Sequence, residues 1–282
     1  MKNKLTPFVK WAGGKTQLLP HLEELLPESY QTYYEPFIGG GALLLNLQPA
    51  KAVIGDVNEQ LINIYKQIQM NVEDVIHEVN ELDKLNCSVE RYLSIRKYYN
   101  EKKIANHVLD AETAALMIWL NKHCFNGLYR TNSTGFFNVP WNKKEIGHSI
   151  VEENLRNIAE YLNTADITIQ AKDFEETCKS AKPGDFIYFD SPYIPVSATA
   201  SFTDYTKDGF TGKDHVRLAQ LFKDISKKGI LSMLSNHNVP LIYELYEGFH
   251  IEAVSVHRMI NRDASKRTGK EVIITNYLIH GL

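Results

Sequence analysis

The sequence predicts an α/β fold, a doubly wound and mostly parallel sheet interrupted by a mainly helical insertion. Two observations predict it. Short apolar runs of strand length alternate with stretches of helical apolar spacing, first up to about position 68 and again beyond about position 165. Between about Asn58 and Asn154 the strand rhythm is lost and helical spacing takes over.

The elements follow in order. Tyr33 to Phe37 reads as a short buried strand, Ile38-Gly39-Gly40-Gly41 as a turn and Ala42 to Leu47 as a helix. Ala52 to Gly55 is a second strand, ending at Asp56, and Leu61, Ile64, Tyr65 and Ile68 mark one face of a helix. Ala111 to His123 is helical and leads into a polar loop rich in Asn and Gly. Strands resume at Ile167 to Ile169, Phe186 to Phe189 and Gly229 to Leu234, with Val216, Ala219, Phe222 and Ile225 on a helical face between the last two. Ile251 to Val256 and Val272 to Leu278 read as the closing strands. The organisation expected is a discontinuous domain, residues 1–57 and 155–282, with residues 58–154 inserted.

Composition narrows the function classes. No apolar run is long enough for a bilayer and Met1 to Pro7 lacks a signal-peptide pattern, so the expected location is the cytoplasm. Cys87, Cys124 and Cys178 are odd in number and far apart, and the histidines show no short ligand spacing; a metal is not predicted. The net charge of −3 is no nucleic-acid footprint, yet charge is unevenly placed. Lys122 to Lys144 holds four cations and no acid, and Arg258 to Lys270 holds five cations against Asp263 alone. Either run alone is better explained by a solvated loop.

Two motifs carry chemistry. Glycines after a strand let a ligand approach the backbone, and an acid ending the next strand can hold the hydroxyls of a ribose. Gly39-Gly40-Gly41 and Asp56 have that arrangement, but position 44 is Leu where a dinucleotide fingerprint has its third Gly. This favours an adenosine-containing ligand without a pyrophosphate over a nicotinamide dinucleotide. Asp190-Ser191-Pro192-Tyr193 follows the run Phe186 to Phe189, at the sheet edge where ligands bind. The lone pair of an adenine amine is delocalised into its ring, so it attacks poorly until its hydrogens are drawn on. Asp190 would accept one N–H and the backbone carbonyl of Ser191 the other. Pro192 fixes the turn, and Tyr193 offers a face on which an extruded base can stack.

In motif order the chain resembles the Dam-type, DpnM-like site-specific DNA adenine-N6 methyltransferases of the alpha group. Phe8-Val9-Lys10-Trp11-Ala12-Gly13-Gly14-Lys15 comes first, then Glu35-Pro36-Phe37-Ile38-Gly39-Gly40-Gly41 and Asp56-Val57-Asn58. Phe125-Asn126-Gly127-Leu128-Tyr129-Arg130 and Phe137-Asn138-Val139-Pro140 follow, and the tetrad is last. The resemblance implies a Rossmann-like S-adenosylmethionine-dependent sheet with an inserted target-recognition domain. It implies that Trp11, Lys15, Glu35, Phe37, Gly39, Gly40, Gly41, Asp56, Asp173, Phe174 and Asp190 hold the methyl donor. It assigns Lys10 to an outer guanine and Asn126, Leu128, Arg130, Asn132 and Pro140 to the bases of double-stranded GATC. Ser197 to Tyr205, with Thr199 and Phe202, would lie beside the target, and Arg258 and Arg267 along the DNA. Pairing with a restriction endonuclease is a further implication. The family pattern has Pro where this chain has Ser191; the required carbonyl is retained, and rigidity is lost. An amine methyltransferase acting on RNA or protein, and a catalytically silent DNA-binding regulator, are the competing readings.

Overall fold

A computed structural model of the chain describes residues 4–11, 13–15, 17–195, 209–257 and 268–278. In chain order, α1 (Leu19–Glu24) has Pro20 in its first turn, where the missing N–H leaves no bond unmade, and leads to β1 (Tyr33–Glu35). Pro36 cannot donate to a ladder, so this strand stops two residues short of the Phe37 the apolar run suggested. Then come α2 (Ala42–Leu47), β2 (Lys51–Asp56) and α3 (Glu59–Asp83). Asn58 caps α3 by accepting from Gln60 N and Leu61 N, and Asn71 interrupts the helix with non-helical torsions. The helical stretch continues with α4 (Val89–Tyr99), a π turn over Asn100–Ile104, α5 (Ala111–His123) and α6 (Glu152–Thr164). Strands return with β3 (Asp166–Ala171), α7 (Phe174–Cys178) and β4 (Phe186–Phe189). The rest is α8 (Gly212–Lys227), β5 (Leu231–His237), α9 (Pro240–Leu245), β6 (His250–His257) and β7 (Thr268–Thr275).

The strands form one seven-stranded sheet in the order β3-β2-β1-β4-β5-β7-β6. β1, β2, β4 and β5 pair in parallel, while β7 runs antiparallel to both β5 and β6. All four residues of β4 are buried, as a central parallel strand covered on both faces requires. From β1 the chain builds outward through β2 and β3, then returns to place β4 on the other side of β1. The order therefore reverses between β1 and β4, and the crevice outside their carboxyl ends is the ligand site of such sheets.

Two compact units divide the chain: residues 1–14, 38–50 and 56–171, and residues 15–37, 51–55 and 172–282. In the first, α3 packs against α5 and α6, burying Leu61, Ile64, Tyr65 and Ile68 on the face the spacing predicted. In the second, Ile187 and Phe189 of β4 join Leu218, Phe222 and Ile225 of α8 and Val272 and Ile274 of β7 in the core. Each such side chain contributes roughly 1.5–3 kcal/mol by burial. His215 and Leu218 belong to the buried face of α8, whereas Val216, assigned to it from spacing, is 43% exposed. No helix among the described residues is long and apolar enough to cross a membrane.

Candidate active site

Asp190 follows β4 directly, at the crevice between the ends of β1 and β4. Lys15 Nζ lies 2.6 Å from its Oδ1, and the two side chains are only 6% and 20% exposed. Ser235 donates to the same oxygen at 3.3 Å and is hydrogen-bonded to Tyr188 Oη at 2.9 Å. Burial pushes the Asp190 carboxyl above its ordinary range, and the charge of Lys15 opposes that push. Lys15 is thus the main group favouring the carboxylate in surroundings that otherwise disfavour it. Glu35 at the end of β1 is also buried, and Tyr33 Oη donates to its Oε2 at 2.7 Å.

Tyr193 is held on several sides. Its hydroxyl donates to Glu271 Oε2 at 3.0 Å, and its ring meets His237 edge-on at 4.8 Å. Lys15 Nζ sits 4.4 Å above the ring centroid. The turn is pinned one residue further on, where Asn236 Oδ1 accepts from Ile194 N at 3.0 Å. His237 Nδ1 lies 2.7 Å from the Ile194 carbonyl oxygen and, facing an acceptor, carries the proton. Ser191 is 2% exposed and its Oγ has no hydrogen-bond partner among the described residues.

The same unit holds an aromatic cluster. Phe37 stacks on Phe174 at 5.4 Å, and Phe210 meets Phe37 edge-on at 5.7 Å. Asp173 caps α7 through Glu175 N and pairs with Arg217 Nη2 at 3.0 Å, while the Arg217 guanidinium lies 4.8 Å above the Phe174 ring. Arg217 therefore holds both members of the Asp173-Phe174 pair. His215 packs edge-on against Phe210 at 4.8 Å, and its Nε2 is buried without a partner among the described residues. Burial pushes its pKa down to about 4.

The first unit carries the glycine loop. Gly39 has φ +48°, and a Cβ there would stand 2.9 Å from Trp11 Cδ1, so the indole occupies the space that glycine leaves. Asp56 Oδ2 accepts from Gly39 N at 3.4 Å and its Oδ1 from Asn58 N at 2.9 Å. Burial pushes the Asp56 pKa up to about 6 against those donors. Trp11 stacks on Tyr129 at 5.5 Å.

Residues 124–141 form a loop closed by isolated bridges, Cys124 to Trp141 and Thr131 to Phe137. Asn126, with φ +56°, Leu128, Arg130, Asn132 and Pro140 are all exposed on it. Arg130 Nε donates to Asn138 Oδ1 at 2.7 Å, and Asn132 Oδ1 accepts from Thr134 N and Phe136 N, which fixes the tip as a turn. The Pro140 carbonyl accepts from Phe125 N at 2.8 Å. Arg258, Arg267, Thr199 and Phe202 lie outside the described residues. Among the described residues no group of three or more His, Cys, Asp or Glu could hold a metal ion.

Ser235, Asn236, His237, Arg217 and Glu271 were not found by sequence reasoning. The available signal was a polar run, Ser235-Asn236-His237, directly after an apolar strand. Position at a strand's carboxyl end is where such residues serve a site.

Comparison with known proteins places these features in a family. Residues 11–260 match the family described as D12 class N6 adenine-specific DNA methyltransferase. The chain is 45% identical to a type II methyltransferase, M1.LlaDCHI, of Lactococcus lactis subsp. cremoris, over 98% of both chains. It is 39% identical to the type II methyltransferase M.MjaIII of Methanocaldococcus jannaschii, over 97% of this chain and all of that one. A DNA adenine methylase of Vibrio cholerae is 33% identical over 98% of both. With the family match covering most of its length, the chain belongs to the D12 class N6 adenine-specific DNA methyltransferases.

Proposed function

We propose that this enzyme transfers a methyl group from S-adenosylmethionine to adenine N6 within GATC in double-stranded DNA, after extruding the base. The observation that carries the reading is the buried Asp190 carboxylate, poised against Lys15 directly after β4. Asp190 accepts one N6–H and the Ser191 carbonyl the other, which localises the nitrogen lone pair as the amine becomes tetrahedral. Bound S-adenosylmethionine supplies an electrophilic sulfonium methyl, whose carbon–sulfur bond breaks as the nitrogen–carbon bond forms. Asp190 takes up the proton that N6 releases. The extruded base stacks on the Tyr193 face opposite Lys15.

The donor-holding residues are Trp11, Lys15, Glu35, Phe37, Gly39, Gly40, Gly41, Asp56, Asp173 and Phe174. Their fit to an adenosine-bearing donor is supported by a carboxylate at the end of β2, a loop that could not accept a Cβ at Gly39, and the stacked Phe37 and Phe174 rings. Residues 58–154 serve target recognition and residues 1–57 with 155–282 serve donor binding and catalysis. Lys10, Asn126, Leu128, Arg130, Asn132 and Pro140 read the site, as Arg and Lys commonly read guanine in the major groove. Arg258 and Arg267 follow the phosphates, and the enzyme works on cytoplasmic DNA. The relatives named type II methyltransferases support pairing with a restriction endonuclease.

The test is transfer from labelled S-adenosylmethionine to duplexes with and without GATC, alongside RNA and protein. Label confined to the GATC duplex, and abolished in Asp190→Ala with donor binding retained, is the expected result. Label on RNA or protein, or full turnover by Asp190→Ala, would overturn it.

A further inference from the structure

We infer that Asn121 is a positioning residue for sequence recognition, fixing the Lys10 backbone to the Gly127 end of the recognition loop. Asn121 is 2% exposed on the last turn of α5, where a polar side chain needs partners. It finds three, all backbone. Its Oδ1 accepts from Lys10 N at 2.8 Å, and its Nδ2 donates to the Lys10 carbonyl at 2.8 Å and to the Gly127 carbonyl at 3.0 Å. One planar amide thus satisfies both polar groups of one residue and ties them to a segment more than a hundred positions away in sequence.

A second contact presses the same two segments together. Gly127 has φ +65°, and a Cβ there would stand 2.4 Å from Lys10 Cβ and 3.0 Å from its Cδ. The Lys10 stem therefore lies against bare backbone, and the absence of a side chain at 127 sets its course. Cys124 contributes from below, its thiol donating to the Leu128 carbonyl at 3.3 Å. Lys10 itself is exposed. A long, flexible side chain reads a base poorly unless its backbone is fixed, and here the fixing group is a buried amide outside the reading surface. Asn121 sets the register between Lys10 and the loop that carries Leu128 and Arg130.

The inference rests on the proposed reading of an outer base pair by Lys10, and the experiment separates the two. Relative kcat/KM is measured on a GATC duplex and on duplexes altered at the outer or the inner base pairs, for wild type, Lys10→Ala, Asn121→Ala, Asn121→Asp and Gly127→Ala. Asn121→Asp keeps the acceptor and loses both donors; Gly127→Ala pushes on the Lys10 stem while leaving Asn121 intact, and so decides the matter if the Asn121 variants fail to fold. The expected result is loss of outer-pair discrimination by about tenfold in the Asn121 and Gly127 variants, the scale of one good base contact, with kcat on GATC changed less. Combined with Lys10→Ala, Asn121→Ala should then remove no further discrimination. Wild-type discrimination in all three variants, with loss in Lys10→Ala, would overturn the role of Asn121 and leave Lys10 as a reader. Wild-type discrimination in Lys10→Ala would overturn both.

Discussion

Replacing Lys15 with Met removes a charge and keeps a similar stem, and its consequence can be worked from the geometry. At 2.6 Å and an effective dielectric of 20 the Coulomb attraction to Asp190 is at most about 6 kcal/mol. Removing one partner of a buried pair costs about 3–5 kcal/mol in practice. Loss of that stabilisation raises the Asp190 pKa further above its ordinary range, because burial is then left without the opposing charge of Lys15. In the proposed mechanism a protonated Asp190 can no longer accept both the hydrogen bond and the proton of N6. The acid limb of kcat, measured at saturating donor and DNA, should therefore move towards higher pH, and the variant should recover turnover as the pH rises. Stability should run the other way. A carboxyl whose folded pKa lies above its unfolded value binds more protons in the folded state, so stability is lost as pH rises through the folded pKa. Urea unfolding of Lys15→Met relative to wild type should weaken over the range in which kcat recovers. A loss of turnover of equal size at every pH would refute the assignment of Lys15 as the group that holds Asp190 ionised.

Two further variants probe neighbouring groups. Ser191→Ala removes a buried hydroxyl that lacks a partner among the described residues, so it should stabilise the fold by about 1 kcal/mol. In the proposed mechanism the acceptor is the backbone carbonyl, so turnover should stay within a few-fold; a drop beyond tenfold would show the hydroxyl engaged in the reaction. His215 is buried with its pKa pushed down to about 4, so the folded protein loses stability as pH falls from about 6.5 towards 4, by up to roughly 3 kcal/mol. His215→Leu should flatten that part of the acid unfolding curve, and an unchanged slope would contradict the assignment.

Much of the fold was legible because parallel strands are buried on both faces. Phe186 to Phe189 is apolar without interruption and forms β4 with those bounds. Where burial and polarity diverge, the reading fell short. The apolar run predicts a strand that ends at Leu234, whereas β5 continues to His237, because Ser235 and Asn236 are buried and spend their side chains on Asp190 and Ile194. Val216 fits helical spacing but points outward, since the face of α8 turns through His215, whose ring satisfies the aromatic cluster better than its polarity suggests. The tetrad itself could be read because its four residues are consecutive. Its supports could not: Lys15 and Glu271 reach it only through the fold, and no local pattern links Asn121 to Lys10.

The antiparallel return of β7 also bears on when activity begins during synthesis. Glu271, which takes the Tyr193 hydroxyl, is 78 residues downstream of it. At about 5–20 residues per second, a ribosome needs roughly 4–16 seconds to make that stretch. Until it emerges and pairs with β5, the nascent chain has the carboxylate and the tyrosine but lacks the strand that orients the ring. A methyltransferase assembled in this order acquires Glu271, the acceptor of the Tyr193 hydroxyl, late in its own translation.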